Sequence, residues 1–489
     1  MNATTERLNS LLQTHADAIE RAVDRYGLPL HVMFLEQIAE NARAFSRTLD
    51  QSYPNAFAAF AVKSNPCRGA VRAAAALGLG ADVASENELR LALEEGIPPD
   101  RIICNGNAKS SRYLTMATQS GCLVAVDNMD ELHELESQSA SCVDILLRFR
   151  GMPLSGLTSD DQTTAADWTK FGFHIHDAPA LFSHLAAIKQ LRFRGVSAHI
   201  GTQIAEPHGY ERLLDHLLAL TAQARAAGLT PDVVDIGGGF PVAFLSESEW
   251  RGFQARLLQR LQTKDGESVT WNDLPLGYQG VDPLHPHWVG KAYWSAVPQA
   301  DMLSHLLHHE SADGRDGAQR LRALREPLLV AEPGRSLMAS AGVTLSEVAG
   351  TKTVLGHHVV SLDLGINNHG TNLISPDMFP AAVLPHMSDD EPIDAFLAGR
   401  LCFSGDMISK TKVKLNRRPR RGDRFVIYYT GAYGADHFAS NSCGFLRPGK
   451  IAVRKDGTVE VWRAPERFED IFGSLDDGLL SDDGATSSS

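Results

Sequence analysis

Eight short apolar runs, at residues 56–62, 80–84, 101–104, 122–126, 143–149, 194–200, 232–236 and 327–331, alternate with helix-like stretches. Several of those stretches, among them Glu86–Gly96, Ser110–Gly121 and Tyr210–Gly228, are amphipathic and end at glycine. Short apolar runs punctuated in this way read as buried strands, and strands alternating with helices require a parallel sheet with helical crossovers. Eight such units over roughly 270 residues fit a (β/α)8 TIM barrel in number and size. The rival architecture is an open, doubly wound sheet. The barrel is favoured because polar residues cluster at every strand end, where a barrel gathers them into one mouth.

Those strand ends carry the chemistry. The first run, Phe57 to Val62, delivers Lys63 just before Ser64-Asn65-Pro66. A lysine at a strand tip loses hydration, its pKa falls, and the neutral amine can form a Schiff base. Asp82 and Ser85 follow the second run, with Glu88 a turn later. Then come Asn105-Gly106-Asn107, Asp127, Arg148, His199-Ile200-Gly201-Thr202-Gln203, Gly237-Gly238-Gly239 and Glu332-Pro333-Gly334-Arg335. The three glycines let backbone N–H groups approach a phosphate. Glu332 can pair with a pyridine nitrogen, His199 can stack on a ring, and Arg335 can bind a phosphate or carboxylate at two points. An amine, an aromatic plate, a phosphate cradle and a carboxylate are the parts of a pyridoxal 5'-phosphate site.

The motifs Ala61-Val62-Lys63-Ser64-Asn65, Asp82-Val83-Ala84-Ser85 with Glu88-Leu89, Gly106-Asn107-Ala108-Lys109-Ser110, Lys170-Phe171-Gly172 and His199 to Gln203 run in order along the chain. Asp235-Ile236-Gly237-Gly238-Gly239-Phe240, Glu332 to Ser336, Cys402-Phe403-Ser404-Gly405-Asp406 and Gly431-Ala432-Tyr433-Gly434 continue the series. In this set the chain resembles the fold-type III pyridoxal-phosphate-dependent decarboxylases with an alanine-racemase-like barrel, and most of all their diaminopimelate decarboxylase branch. The resemblance implies a catalytic set of Lys63, which holds the cofactor, His199, which stacks on it, and Cys402. It also places Asp82, Thr202, Gly237, Gly238, Gly239, Glu332, Gly334, Arg335 and Tyr433 with the cofactor, and Arg335, Phe403 and Asp406 with the substrate. It implies a head-to-tail homodimer in which Cys402 reaches the site of the partner subunit and returns a proton to the α-carbon after CO2 has left. An amino-acid racemase or epimerase of the same fold, and a non-catalytic binding protein, are the alternatives. Glu332 at the ring nitrogen and an intact lysine and cradle argue against them.

Two departures bear on the substrate. Phe403 stands where the branch carries a glutamate, and Ser375-Pro376 stands near where it carries Arg-Pro. These changes point to an amino acid other than diaminopimelate. Residues 241–326 form a long insertion after the seventh strand, with Trp271, Tyr278, His285, His287, Trp288, Tyr293 and Trp294. Its place at the catalytic mouth suggests a lid or specificity element, against a surface decoration or dimer contact. His285, His287, His308 and His309 fit no ordinary zinc spacing, so no metal is assigned.

Residues 5–25 read as one amphipathic helix, and 29–34 as a strand that joins a C-terminal domain. The division is 1–34, the barrel 35–342, a mostly β domain 343–470, and a disordered Asp/Ser/Gly-rich tail 471–489. A formal charge of −13 and a pI near 5.8 argue against a nucleic-acid partner. No apolar run approaches the roughly 18 residues needed to cross a membrane. Six cysteines without CxxC spacing read as reduced thiols of a cytoplasmic protein.

Overall fold

The structure, a computed structural model, describes residues 2–138, 142–152, 164–278, 291–369, 378–385, 391–434, 436–437 and 439–473. The segments at His285, His287, Trp288 and Ser375-Pro376, and the tail from residue 474, lie outside the described residues.

Strand β1 (Leu30–Phe34) precedes the barrel strands β2 (Ala56–Ala61), β3 (Gly80–Val83), β4 (Ile102–Cys104), β5 (Leu123–Val126) and β6 (Val143–Arg150). A short β7 (Phe173–His174) extends the end of β6, and β8 (Leu191–Ser197), β9 (Val233–Asp235) and β10 (Leu328–Ala331) complete the set. β2 to β6 pair in sequence, β6 pairs with β8, then β9, then β10, and β10 closes on β2, all parallel. The barrel is therefore closed, and the open-sheet alternative falls.

Inward and outward residues alternate along each strand. Phe57, Ala59, Ile103, Leu123, Ala125, Leu146, Val233 and Val330 form one small buried cluster, while the intervening residues join the large core under the helices. Two positions beyond members of that small cluster stand Asn105, Asp127, Arg148, Asp235 and Glu332. One parity thus fills the barrel with hydrocarbon at the bottom and with charge at the C-terminal mouth.

The second domain contains β11 (Gly342–Val354), β12 (His357–Leu362), β13 (Ala381–Leu384), β14 (Ile393–Ala398) and β15 (Met407–Leu415), followed by β16 (Arg424–Tyr428), β17 (Gly449–Val453) and β18 (Val459–Arg463). β1 lies antiparallel to β11 and parallel to β17, so the N-terminal strand is sewn into the C-terminal sheet. The N-terminal helix is in fact two, Ala3–Thr14 and Ala16–Tyr26. The chain breaks at His15, whose ring lies 6.3 Å from Phe34. No helix among the described residues is long and apolar enough to cross a membrane.

The insertion is built into the body of the molecule. Its helix Glu247–Thr263 buries Trp250, Phe253 and Leu257. Trp250 lies 5.7 Å from Tyr293, which meets Phe244 at 5.8 Å, and Phe244 meets Phe379 and Tyr429 at 5.6 and 5.2 Å. Thr270 bridges to Thr411, the Lys412 N–H donates to the Val269 carbonyl at 3.1 Å, and Trp271 packs edge-on against Phe396 at 5.3 Å. The described part of the insertion is thus a bracket between barrel and β domain; a free lid over 270–278 does not agree with these contacts. Trp250→Ala is expected to cost about 3–5 kcal/mol, read as a lower urea midpoint. An unchanged midpoint would mean that the bracket carries no load.

Candidate active site

Lys63 sits on a single 3-10 turn, Val62–Ser64, at the end of β2. Both domains hold that turn. The Ala61 N–H donates to the Pro333 carbonyl at 3.2 Å, and the Tyr433 N–H to the Ser64 carbonyl at 2.8 Å. Asn65 Nδ2 donates to the Gly431 carbonyl at 2.9 Å, and its Oδ1 accepts from Lys450 at 3.1 Å.

Lys63 Nζ donates to Asp82 Oδ2 at 2.6 Å. Burial opposes the ammonium charge, but Asp82, Tyr433 and Glu332 outweigh it and hold the lysine above its ordinary pKa. This corrects the expectation of a lowered pKa: a carboxylate partner at hydrogen-bond distance reverses the effect of desolvation. Asn105 Nδ2 donates to Asp82 Oδ1 at 2.8 Å and to Glu332 Oε1 at 2.6 Å, so one amide ties two acidic side chains together. Burial, with Asp235 and Asp82 nearby, pushes Glu332 well up. Asp235 is pushed up to about 7, first by burial and then by Asp82, against the Gly237 N–H it accepts.

His199 is held well below its ordinary value by burial and by the charges of Lys63 and Arg148. Its Nδ1 accepts the Gly201 N–H at 3.1 Å, so the neutral ring carries its proton on Nε2. Thr202 is half-buried on the same turn.

Gly237 and Gly239 adopt φ of +63° and +92°, and a Cβ on Gly238 would meet the Glu332 carbonyl at 2.4 Å. Backbone passes too close there for any side chain. A Cβ on Gly334 would likewise meet Ala61 at 2.9 Å. Arg335 is buried with its guanidinium 4.6 Å over the Tyr433 ring. The Nε atoms of Arg335 and Arg148 and the Ser197 hydroxyl are buried with no hydrogen-bond partner among the described residues. Donors left so at a barrel mouth fit an anionic group, a phosphate or a carboxylate.

Three further predicted residues lie on the β domain. Cys402 is exposed and Phe403 is 52% exposed, on the loop between β14 and β15. Asp406 is buried and accepts the Ile366 and Leu401 N–H groups at 2.8 and 2.7 Å. It anchors its own loop. Ser85 and Glu88 cap the helix Glu86–Glu94. Asn105 and Arg148 stand among the strand ends that sequence singled out, and Asp235 within a quoted motif, but none of the three was given a role; their shared inward parity supplies the signal.

A family model for the pyridoxal-dependent decarboxylase, pyridoxal binding domain, matches residues 35–264. The chain is 29% identical over 451 residues to a diaminopimelate decarboxylase of Actinosynnema pretiosum subsp. auranticum, covering 92% of this chain and 89% of that one. The fold is shared with diaminopimelate decarboxylase from M. jannaschii in co-complex with L-lysine (TM-score 0.73, 22% identity, 92% of each chain). It is also shared with lysine/ornithine decarboxylase from Vibrio vulnificus complexed with cadaverine (TM-score 0.65, 23% identity, 89% of this chain and 97% of that one).

The acid cluster has a pH signature. Asp235 titrates higher in the folded chain than the ordinary 3.8, so the fold binds the extra proton and its stability falls as pH rises toward about 7. In the cofactor-free chain, Asp235→Asn is expected to raise the thermal midpoint above pH 7 and to leave it unchanged near pH 4. A gain of equal size at both pH values would contradict the buried charge.

Proposed function

We propose that the chain, whose residues 35–264 match the pyridoxal binding domain of the pyridoxal-dependent decarboxylases, removes the α-carboxylate of a free amino acid other than diaminopimelate. One observation carries the reading: Lys63, Asp82, Asn105 and Glu332 form a single hydrogen-bonded set at a barrel mouth. Lys63 Nζ would hold pyridoxal 5'-phosphate, with His199 on its face, Glu332 at its nitrogen, and Gly237, Gly238, Gly239, Gly334, Arg335 and Tyr433 around its phosphate. Asp82 and Thr202 complete the cofactor set. Bound there, the cofactor supplies an electron-withdrawing ring that accepts the electron pair left as CO2 departs.

The chain's own residues set the conditions. Glu332 would pair with the ring nitrogen and favour its protonated form; a cation there would offset the burial that otherwise raises the pKa of this carboxyl. Asp82 keeps the Lys63 amine charged, so this lysine can also return a proton. His199 presents a neutral ring, which adds no positive charge to the face it covers. Arg335 offers paired N–H groups to a carboxylate or phosphate.

We place Cys402 of the partner subunit near the α-carbon, in a cytoplasmic homodimer with shared sites. Its exposure supports this, as does the solvent-facing Phe403 ring beside it, which a second copy would cover. Phe403 cannot hydrogen-bond a distal ammonium, so the favoured substrate has a distal end that is less polar than that of diaminopimelate.

The test is CO2 release from a panel of L-, D- and meso-amino acids. Lys63→Ala is expected to abolish release and the absorbance of the lysine-linked cofactor. Glu332→Gln should keep that absorbance and lower kcat about 100-fold or more. Release from meso-diaminopimelate above the rest of the panel would sink the substrate assignment. For the shared site, mixing inactive Lys63→Ala and Cys402→Ala chains should restore up to about a quarter of native activity, one intact site in each mixed dimer. No recovery would separate Cys402 from the partner's site.

A further inference from the structure

Away from the barrel mouth, on the outer ring of helices, a carboxylate and two imidazoles meet. Glu211 lies on the helix Pro207–Ala226, which follows β8. His305 is on the helix Ala300–His308 of the insertion, and His309 caps its C-terminal end. A spacing of four residues puts both rings on one face of that helix. The rings lie 5.2 Å apart at 23°. His305 Nε2 stands 2.8 Å from Glu211 Oε1, and His309 Nδ1 stands 3.5 Å from the same oxygen. All three ligand atoms lie within 4.8 Å of one another, and the residues are half-buried. From these positions we propose that Glu211, His305 and His309 bind one divalent transition-metal cation of the zinc class.

The geometry suits the ion. Tetrahedral zinc, about 2.0–2.1 Å from each ligand atom, sets those atoms about 3.3–3.5 Å apart. Two imidazoles and one carboxylate select zinc, cobalt, nickel or copper over magnesium or calcium. His208 Nδ1 contacts the other Glu211 oxygen at 2.5 Å and serves to orient the carboxylate. A pit lined by Glu211, Asp215, Leu306, His309, Ser311 and Arg320 opens beside two of the three ligands.

The plain alternative is a set of surface ion pairs, each worth about 0–1 kcal/mol. What sets this group apart from scattered pairs is convergence: His305 Nε2 and His309 Nδ1 both face Glu211 Oε1 from one helix. The neighbouring His308 is not part of the set: it turns toward Ser52 and Ser304.

The site would tie the insertion to the barrel. At the other end of the helix, Gln299 Nε2 donates to the Ser336 carbonyl at 2.6 Å, one residue from Arg335. The helix is thus fixed at its start to the turn that carries Arg335, and at its end to Glu211. Binding there is structural, with no role in the reaction itself.

The test uses the full chain without an affinity tag, washed with chelator and titrated calorimetrically with zinc chloride. One equivalent per chain and a rise in thermal midpoint are expected, both lost in His305→Ala/His309→Ala. Cobalt in place of zinc should give a visible ligand-field band that disappears in the same variant. Absence of zinc binding, or binding and band unchanged in the double variant, would overturn the site. If that variant does not fold, the near-isosteric Glu211→Gln carries the same comparison.

Discussion

Three acidic side chains, Asp82, Asp235 and Glu332, are buried within one barrel mouth, and their mutual repulsion is the constraint from which the site follows. Ionised together without cations, they would cost far more than a fold can bear. The chain meets this in two ways. Burial raises Asp235 and Glu332 until protons are retained, and Lys63 is drawn onto Asp82 as an ammonium. A cation brought against Glu332 would offset the same repulsion.

The barrel does not position its lysine alone. Asn65 and Ser64 are held from the β domain by Gly431, Lys450 and Tyr433. Lys450 is in turn fixed by Asp436, which also pairs with Arg463; these cations hold its carboxyl low despite burial. Because β1 is sewn between β11 and β17, this support requires both ends of the chain. Barrel and β domain are thus joined at the lysine turn, and the aromatic bracket from Trp250 through Tyr293 and Phe244 to Tyr429 joins the insertion to the β domain as well.

Sequence made the barrel legible because apolar runs and glycine stops repeat so regularly. Seven strands fall within one or two residues of their runs. The sixth starts three residues early, at Leu191, because Arg192 and Arg194 interrupt its apolar pattern and find Asp144 and Asp232 only in three dimensions. β15 was legible in principle: Lys410, Lys412 and Lys414 alternate with Thr411, Val413 and Leu415. A search for β-branched apolar runs passes over that alternation. Lys63, His199 and Glu332 were visible as strand ends. Asp235 and Asn105 were visible too, but their roles were not, because Asp235 lies in a motif notable for its glycines and the partners of Asn105, Asp82 and Glu332, are remote in sequence. The break at His15 has neither glycine nor proline, and depends on the packing of that ring against Phe34.

The insertion shows where sequence position misleads. Following the seventh strand, it begins at the catalytic mouth, and that place alone suggests a lid. Its described residues instead leave the mouth in two directions: residues 267–271 reach β15 and β14, while the helix Ala300–His308 lies along the helices Leu35–Ser52 and Pro207–Ala226. Both routes end on rigid elements. An influence on substrate choice must therefore pass through the orientation of parts that the insertion holds, above all the Ser336 backbone beside Arg335.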